Sequence, residues 1–234
     1  MITIRPGLAV RIVQTGEAGL REVHVESTDA GDPDARLLAA GSAPLPPYIH
    51  GWTGDPERYQ TMFADVEGSA AAPTAGLHFT PRLVEALHAR GIQLASLTLH
   101  VGLDTFRPIT VSDPAHHRIH REWFEVPPEL VSQLEQTRAA GGRVIAVGTT
   151  CVRALETAAQ RGACQGWTDL FILPGHRFAG VDGLLTNFHL PRSSLLMLVS
   201  AFAGRSRVLA AYAEAIRQRY RFYSFGDAML ILEC

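Results

Sequence analysis

The chain has 234 residues, 47% hydrophobic and 19% charged, with a formal net charge of -2. That balance excludes an intrinsically disordered chain, and a charge so near zero excludes a globally basic nucleic-acid binder, so any such contact must use a local patch. The longest apolar-rich run, residues 195–202, is too short for a bilayer span, and Met1-Ile2-Thr3-Ile4-Arg5 lacks the layout of a signal peptide; a cytoplasmic protein with no membrane partner is expected.

Residues 1–42 read as short strands. Segments 8–13 and 21–26 partly alternate in polarity around Gly16-Glu17-Ala18-Gly19, which is a hairpin signal, and Gly31-Asp32-Pro33-Asp34 reads as a turn. A lone hairpin is marginal in water, so this segment needs more sheet than it contains. Pro44-Leu45-Pro46-Pro47-Tyr48 is a stiff connector. Beyond it helices and strands alternate. Thr80-Pro81 opens a helix that stops near Gly91, and 92–99 follows as a strand. Residues 127–140 form a helix ending at Gly141-Gly142. A buried-type strand is expected over 143–147, a helix over 150–161 and a strand over 169–173. Ser193 or Ser194 caps a helix through Phe202, a second helix covers 207–219, and 228–232 closes as a strand. This alternation implies an α/β fold with a largely parallel sheet or barrel.

The segments that carry chemistry are loops at strand and helix ends, where ligands of α/β folds bind. Gly148-Thr149-Thr150 follows a strand and opens a helix, whose leading N–H groups can hold an anion or a sugar hydroxyl; it also reads as a plain strand-to-helix turn. No G-x-G-x-x-G or P-loop accompanies it, which counts against a Rossmann methyltransferase or a nucleotide hydrolase. His100 stands at a strand end, followed by Asp104. Asn187 and His189 sit just before a helix. His117, His120 and Glu122 cluster after His116. Histidines beside carboxylates supply proton transfer near neutral pH, although each also reads as a structural hydrogen-bonder. The 116–122 cluster has a zinc reading as well, disfavoured because no further ligand pairs with it. Cys151, Cys164 and Cys234 make no C-x-x-C pair, and no metal is expected. Cys151, at a helix start, reads as a small buried side chain rather than a nucleophile. Tyr220-Arg221-Phe222-Tyr223-Ser224-Phe225-Gly226-Asp227 mixes arginine with aromatics; it fits either a base-stacking surface or an anchor for the last strand. All 21 basic residues are arginine. That reads as G+C-rich codon usage and is compatible with bidentate phosphate contacts.

Several strings go further. Pro44-Leu45-Pro46-Pro47-Tyr48-Ile49, Ala71-Ala72-Pro73-Thr74-Ala75-Gly76-Leu77-His78-Phe79 and Leu97-Thr98-Leu99-His100-Val101-Gly102 match in order and spacing. So do residues 143–152, Thr186-Asn187-Phe188-His189-Leu190-Pro191 with 195–202, and Phe225-Gly226-Asp227-Ala228-Met229. Together they resemble the S-adenosylmethionine:tRNA ribosyltransferase-isomerase family of queuosine biosynthesis, densely over 44–234 and loosely over 1–43.

The resemblance implies a large, barrel-like α/β domain with part of a small inserted β-barrel domain at the N-terminus, and hence domains at 1–43 (partial β-barrel) and 44–234 (catalytic). It implies transfer and isomerisation of the ribosyl moiety of S-adenosylmethionine, a co-substrate, onto 7-aminomethyl-7-deazaguanine at the wobble position of tRNA. In that reaction a base must deprotonate the ribose carbon beside the sulfonium, adenine must leave, and the aminomethyl group must lose a proton to attack. The residues suited to proton transfer are His100, His120, Glu122 and His189, with Asp104 and Asp227 as carboxylate partners. Those suited to the co-substrate are Thr74, Gly76 and His78, whose small neighbours allow close backbone approach, with Gly148, Thr149, Thr150 and Asn187. Family members carry a further stretch ahead of the point where Met1 aligns, so an N-terminally shortened member is expected. Cys151 stands where serine is common, and His116 where aspartate is common. The alternatives are a non-catalytic tRNA-binding remnant and a paralogue that uses S-adenosylmethionine on a small molecule.

Overall fold

A computed structural model describes residues 1–16, 20–41, 44–46, 48–102, 119 and 121–232. The chain divides into two units, Met1–Pro44 and Leu45–Cys234.

The first unit is an antiparallel meander of β1 (Ile2–Arg5), β2 (Leu8–Thr15) and β3 (Arg21–Ser27). The hairpin expected from 8–13 and 21–26 forms, in the register Val10↔Val25, and β1 adds a third strand. Asp32 and Pro33, expected in a turn, instead open helix α1 (Pro33–Ala40). The Asp32 side chain accepts from the Asp34 N–H, and Pro33 supplies a preset φ where no donor is needed. Leu8 and Val10 are the buried apolar side chains here, whereas Ile2, Ile12 and Val13 stay exposed.

The second unit is mixed α/β. Its helices are α2 (Pro81–His88), α3 (Pro128–Ala139), α4 (Thr149–Arg161), α5 (Ser194–Ala203) and α6 (Arg205–Arg217). Two three-stranded sheets are described. One orders β4 (Thr98–His100), β5 (Glu122–Glu125) and β7 (Gln165–Thr168), all antiparallel. The other orders β6 (Ile145–Val147), β8 (Gly183–Asn187) and β9 (Ala228–Leu232). Only β6 and β8 are parallel among the described strands, so the sheets are smaller and more antiparallel than the alternating pattern predicts.

Helix α4 is central to the core. Its residues 149 and 152–157 are buried, a run that includes the 149, 152, 153, 156 and 157 stripe of one helix face. Its Val152 and Leu155 join Leu184, Leu198, Val199 and Phe124 in one buried cluster; burying each such side chain contributes roughly 1.5–3 kcal/mol. A Cβ on Gly183 in β8 would lie 2.5 Å from Ile145 Cδ1, so the Ile145 side chain would have to shift to admit one.

Two expected strands differ. Only Thr98 and Leu99 of the 92–99 segment pair, in a strand that continues to His100, because the partner strand ends at Glu125; beyond it the Val126 N–H donates to Cys164 O and Pro127 has no N–H. Residues 169–173 form no strand. The Leu170 N–H goes to Thr168 Oγ1, and its carbonyl accepts from Arg153 Nε. No single helix among the described residues is long and apolar enough to cross a membrane.

Candidate functional site

The parallel pairing of β6 and β8 brings two carboxyl ends to one sheet edge. The ladder runs Ile145↔Gly183 to Val147↔Leu185, and the Gly148 N–H continues it by donating to Leu185 O at 2.8 Å. Strand β9 enters antiparallel with Ala228 opposite Asn187, so Asp227 reaches the same edge.

Across this edge lies a 3₁₀ turn, Thr74–His78. It closes through Gly76 N–H to Pro73 O and Phe79 N–H to Gly76 O. Ala75 and Gly76 are buried. A Cβ on Gly76 would approach Thr61 Cγ2 to 3.1 Å, and one on Gly148 would meet the Ala75 methyl at 3.6 Å. Small residues thus bring the turn and the head of α4 into contact.

Asn187 joins these parts. It is 3% exposed. Its Oδ1 accepts from Thr74 Oγ1 at 3.3 Å, while Nδ2 donates to Tyr223 O at 3.2 Å and to His78 Nε2 at 3.0 Å. Both amide hydrogens are thereby used. The network assigns His78 an accepting Nε2 and places its proton on Nδ1. Burial lowers the His78 pKa; the Asp227 charge opposes that shift and Arg221 reinforces it. His78 is therefore a neutral imidazole with one N–H to give.

The loop beyond α6 is tightly folded. Tyr223 has φ 71°, in the left-handed region that costs a non-glycine residue energy. Its N–H donates to Phe188 O, and its own carbonyl is held by Asn187. A Cβ on Gly226 would lie 2.5 Å from Arg221 O. The Asp227 carboxylate accepts from the Arg221 N–H at 2.7 Å and from its guanidinium at 3.2 Å, and these bonds lower its pKa. The expected aromatics assemble behind the loop: Tyr48 OH meets Ser224 Oγ at 2.7 Å, and Trp52 stacks on Phe225 at 4.8 Å.

Gly148 is the N-cap of α4, with φ 92° and ψ 148°, a conformation that is essentially glycine-only. The helix has no side-chain cap. The buried Thr149 and half-buried Thr150 occupy its first turn. Cys151 follows, and burial pushes its thiol up to about 11, leaving no thiolate for nucleophilic attack.

The structure therefore brings together Thr74, Gly76, His78, Gly148, Asn187 and Asp227. Three other sequence candidates stand apart from that cluster. Glu122 is 3% exposed and its carboxylate is committed to an ion pair with Arg153. His189 bonds Thr186 Oγ1 through Nε2 at 2.8 Å, and burial drops its pKa to about 4. His100 belongs to the other sheet, opposite Trp123, under Gly68; its Nδ1 is buried with no partner among the described residues. Asp104, His116, His117 and His120 lie outside the described residues. The described residues hold no group of three or more His, Cys, Asp or Glu placed for a metal.

Sequence reasoning missed Glu156. Its side chain is fully buried and accepts from the Ala179 and Gly180 N–H groups and from His176 Nε2, fixing the 176–180 loop to α4. The signal was available: Arg153, Glu156 and Thr157 are polar residues on the buried stripe of the helix.

A family model described as "Queuosine biosynthesis protein" matches residues 1–231. An S-adenosylmethionine:tRNA ribosyltransferase-isomerase of Moorella thermoacetica is 55% identical over 232 residues, 97% of this chain and 68% of that protein. One of Symbiobacterium thermophilum is 58% identical over 200 residues, 84% of this chain and 59% of that protein. The crystal structure of an S-adenosylmethionine tRNA ribosyltransferase from Thermotoga maritima is similar with a TM-score of 0.57 and 40% identity, over 98% of this chain and 64% of that one. The chain thus spans about three fifths of the Symbiobacterium relative's length.

Proposed function

Because the chain belongs to the queuosine biosynthesis protein family, we propose that it transfers and isomerises the ribosyl moiety of S-adenosylmethionine onto 7-aminomethyl-7-deazaguanine in tRNA, forming epoxyqueuosine. The observation that carries this reading is the Asn187-centred cluster at the joined ends of β6 and β8, where turn 74–78, the head of α4 and Asp227 meet.

In this reading the S-adenosylmethionine site is formed by Thr74, Gly76 and His78 with Gly148, Thr149 and Thr150. The close-packed small residues bring backbone N–H groups to the ligand. His78, neutral and protonated on Nδ1, donates a hydrogen bond to an acceptor on the leaving adenine. Asp227, held ionised by Arg221, faces the cationic sulfonium and aminomethyl groups. Asn187 holds both sides in register. Glu122, paired with Arg153, and His189, bonded to Thr186, support this arrangement from within the fold. The reaction needs a further proton carrier, and His100, Asp104 and His120 are the candidates the sequence supplies. The same reading makes residues 1–43 part of a small β-barrel and 44–234 a barrel-like catalytic domain acting on tRNA in the cytoplasm.

A single-turnover assay tests the proposal. The chain is mixed with S-adenosylmethionine and a tRNA carrying the 7-aminomethyl base, and adenine release is followed. Release that depends on that tRNA is the expected result. Release with a small acceptor alone would favour a paralogous activity. Tight tRNA binding without release would favour a binding module.

A further inference from the structure

The outer face of the β4–β5–β7 sheet carries groups that the proposed chemistry leaves unused. Side chains alternate along β5 and β7. Glu122, Phe124 and Thr168 point inward, at 3%, 1% and 0% exposure, and Trp123 and Trp167 point outward as a directly paired couple. Their rings meet edge to face at 5.9 Å. Trp167 is 51% exposed, an unusual place for so large an apolar ring.

Two arginines flank it. The Arg121 guanidinium lies 5.8 Å from the Trp167 ring centroid. Arg161 donates to Trp167 O at 2.9 Å and to Asp169 at 2.5 Å. Asp169 is held ionised, first by the Arg161 hydrogen bond and also by the Arg121 charge. Two guanidiniums thus share one carboxylate, which leaves the Arg121 end of the row positive beside an open π face, four residues along the chain from the Glu125 carboxylate. Glu125, exposed opposite Gln165, bounds the patch on one side, and Gly68 covers the His100 end of the row. A positive charge beside an open aromatic face fits a nucleobase with its flanking phosphate.

Arg161 is the last residue of α4, whose N-cap is Gly148. Thirteen helical residues span about 20 Å, so the indole patch and the Asn187 cluster flank opposite ends of one helix. A nucleoside cannot reach both, whereas a folded polynucleotide can. We infer that Trp167, with Arg121, stacks an unpaired base of the RNA substrate and contacts its phosphate, about 20 Å from the reacting wobble base. This rests on the RNA substrate proposed above.

The test is titration of the full chain with the tRNA carrying the 7-aminomethyl base. Trp167→Ala is expected to weaken binding about 5- to 100-fold. Trp167→Phe, which keeps a stacking ring, should recover most of that loss. Arg121→Ala should reduce the slope of log Kd against log salt by about one. Affinity for S-adenosylmethionine without RNA should be the same in Trp167→Ala as in the parent chain. Parent-like tRNA affinity in Trp167→Ala overturns the inference and leaves the proposed function standing. A dimer that Trp167→Ala converts to monomer in sedimentation also overturns it, by making the face a contact between copies. A parent chain that binds no tRNA overturns both.

Discussion

The side-chain amide of Asn187 donates to His78 Nε2 across 3.0 Å and ties the end of β8 to a turn 109 residues earlier in the chain. With Thr74 on its oxygen and the Tyr223 carbonyl on its other hydrogen, this one buried side chain holds three segments.

Asn187→Ala should therefore leave buried partners unpaired and cost about 1–3 kcal/mol of stability. Displacing the turn by about 1 Å should slow adenine release on the order of 10²-fold. Asn187→Asp sets a carboxylate beside the ring, so NMR titration should find the His78 pKa above that of the parent. An unmoved His78 titration would rule out the contact.

Acid should weaken the fold through its buried imidazoles. Burial holds His189 at about 4, below the value near 6.5 of an unfolded chain. Between those values the unfolded state takes up a proton that the native state refuses. The contribution is thus complete above about pH 6.5 and is lost as pH falls toward 4. His78, also lowered by burial, acts in the same direction. Urea unfolding should show stability declining on the order of 2 kcal/mol from pH 7 to 4.5, and His189→Gln should flatten part of that decline.

Gly148→Ala should cost about 1–3 kcal/mol, since alanine cannot adopt φ 92°, ψ 148° without strain. The Ala75 methyl, at 3.6 Å, leaves room for the new Cβ. The defect should therefore come from the backbone at the head of α4. It should appear as a raised KM for S-adenosylmethionine along with the lower urea midpoint.

The Glu122–Arg153 pair separates support from chemistry. Glu122→Gln or Arg153→Met alone strands a buried charge or donor and should destabilise by about 3–5 kcal/mol. Replacing both, as Glu122→Leu with Arg153→Met, should restore most of the stability. If Glu122 only supports the fold, the double variant also regains adenine release. A stable but inactive double variant would place Glu122 on the substrate.

Much of this was legible in the sequence where local chemistry is strong. Thr80 and Ser193 cap the helices expected of them, and the 228–232 strand forms as read. Gly148, Thr74, His78 and Asn187 could each be singled out, but that they meet could not be seen, because the meeting depends on the parallel register of β6 and β8. Strand β8 itself was hidden: a five-residue buried strand carries no alternation. Strands β5 and β7 are four residues each and too short to read. The 169–173 segment is apolar enough for a strand, but Thr168 and Arg153 claim its backbone groups. Buried polar side chains decided that outcome, and sequence pattern weighs them poorly.

The hold of Asn187 on Thr74 and His78 also sets an order of events during synthesis. The turn leaves the ribosome first; Asn187 follows about 110 residues later and the Tyr223 loop about 150 residues later, roughly 8–30 s at ordinary elongation rates. Through that interval the Asn187-centred cluster exists only as an unpaired half. A ligand held jointly by the turn and the Asn187 end of β8 can therefore bind only after both have been synthesised, so it can stabilise the assembled cluster but cannot guide the early folding of the turn.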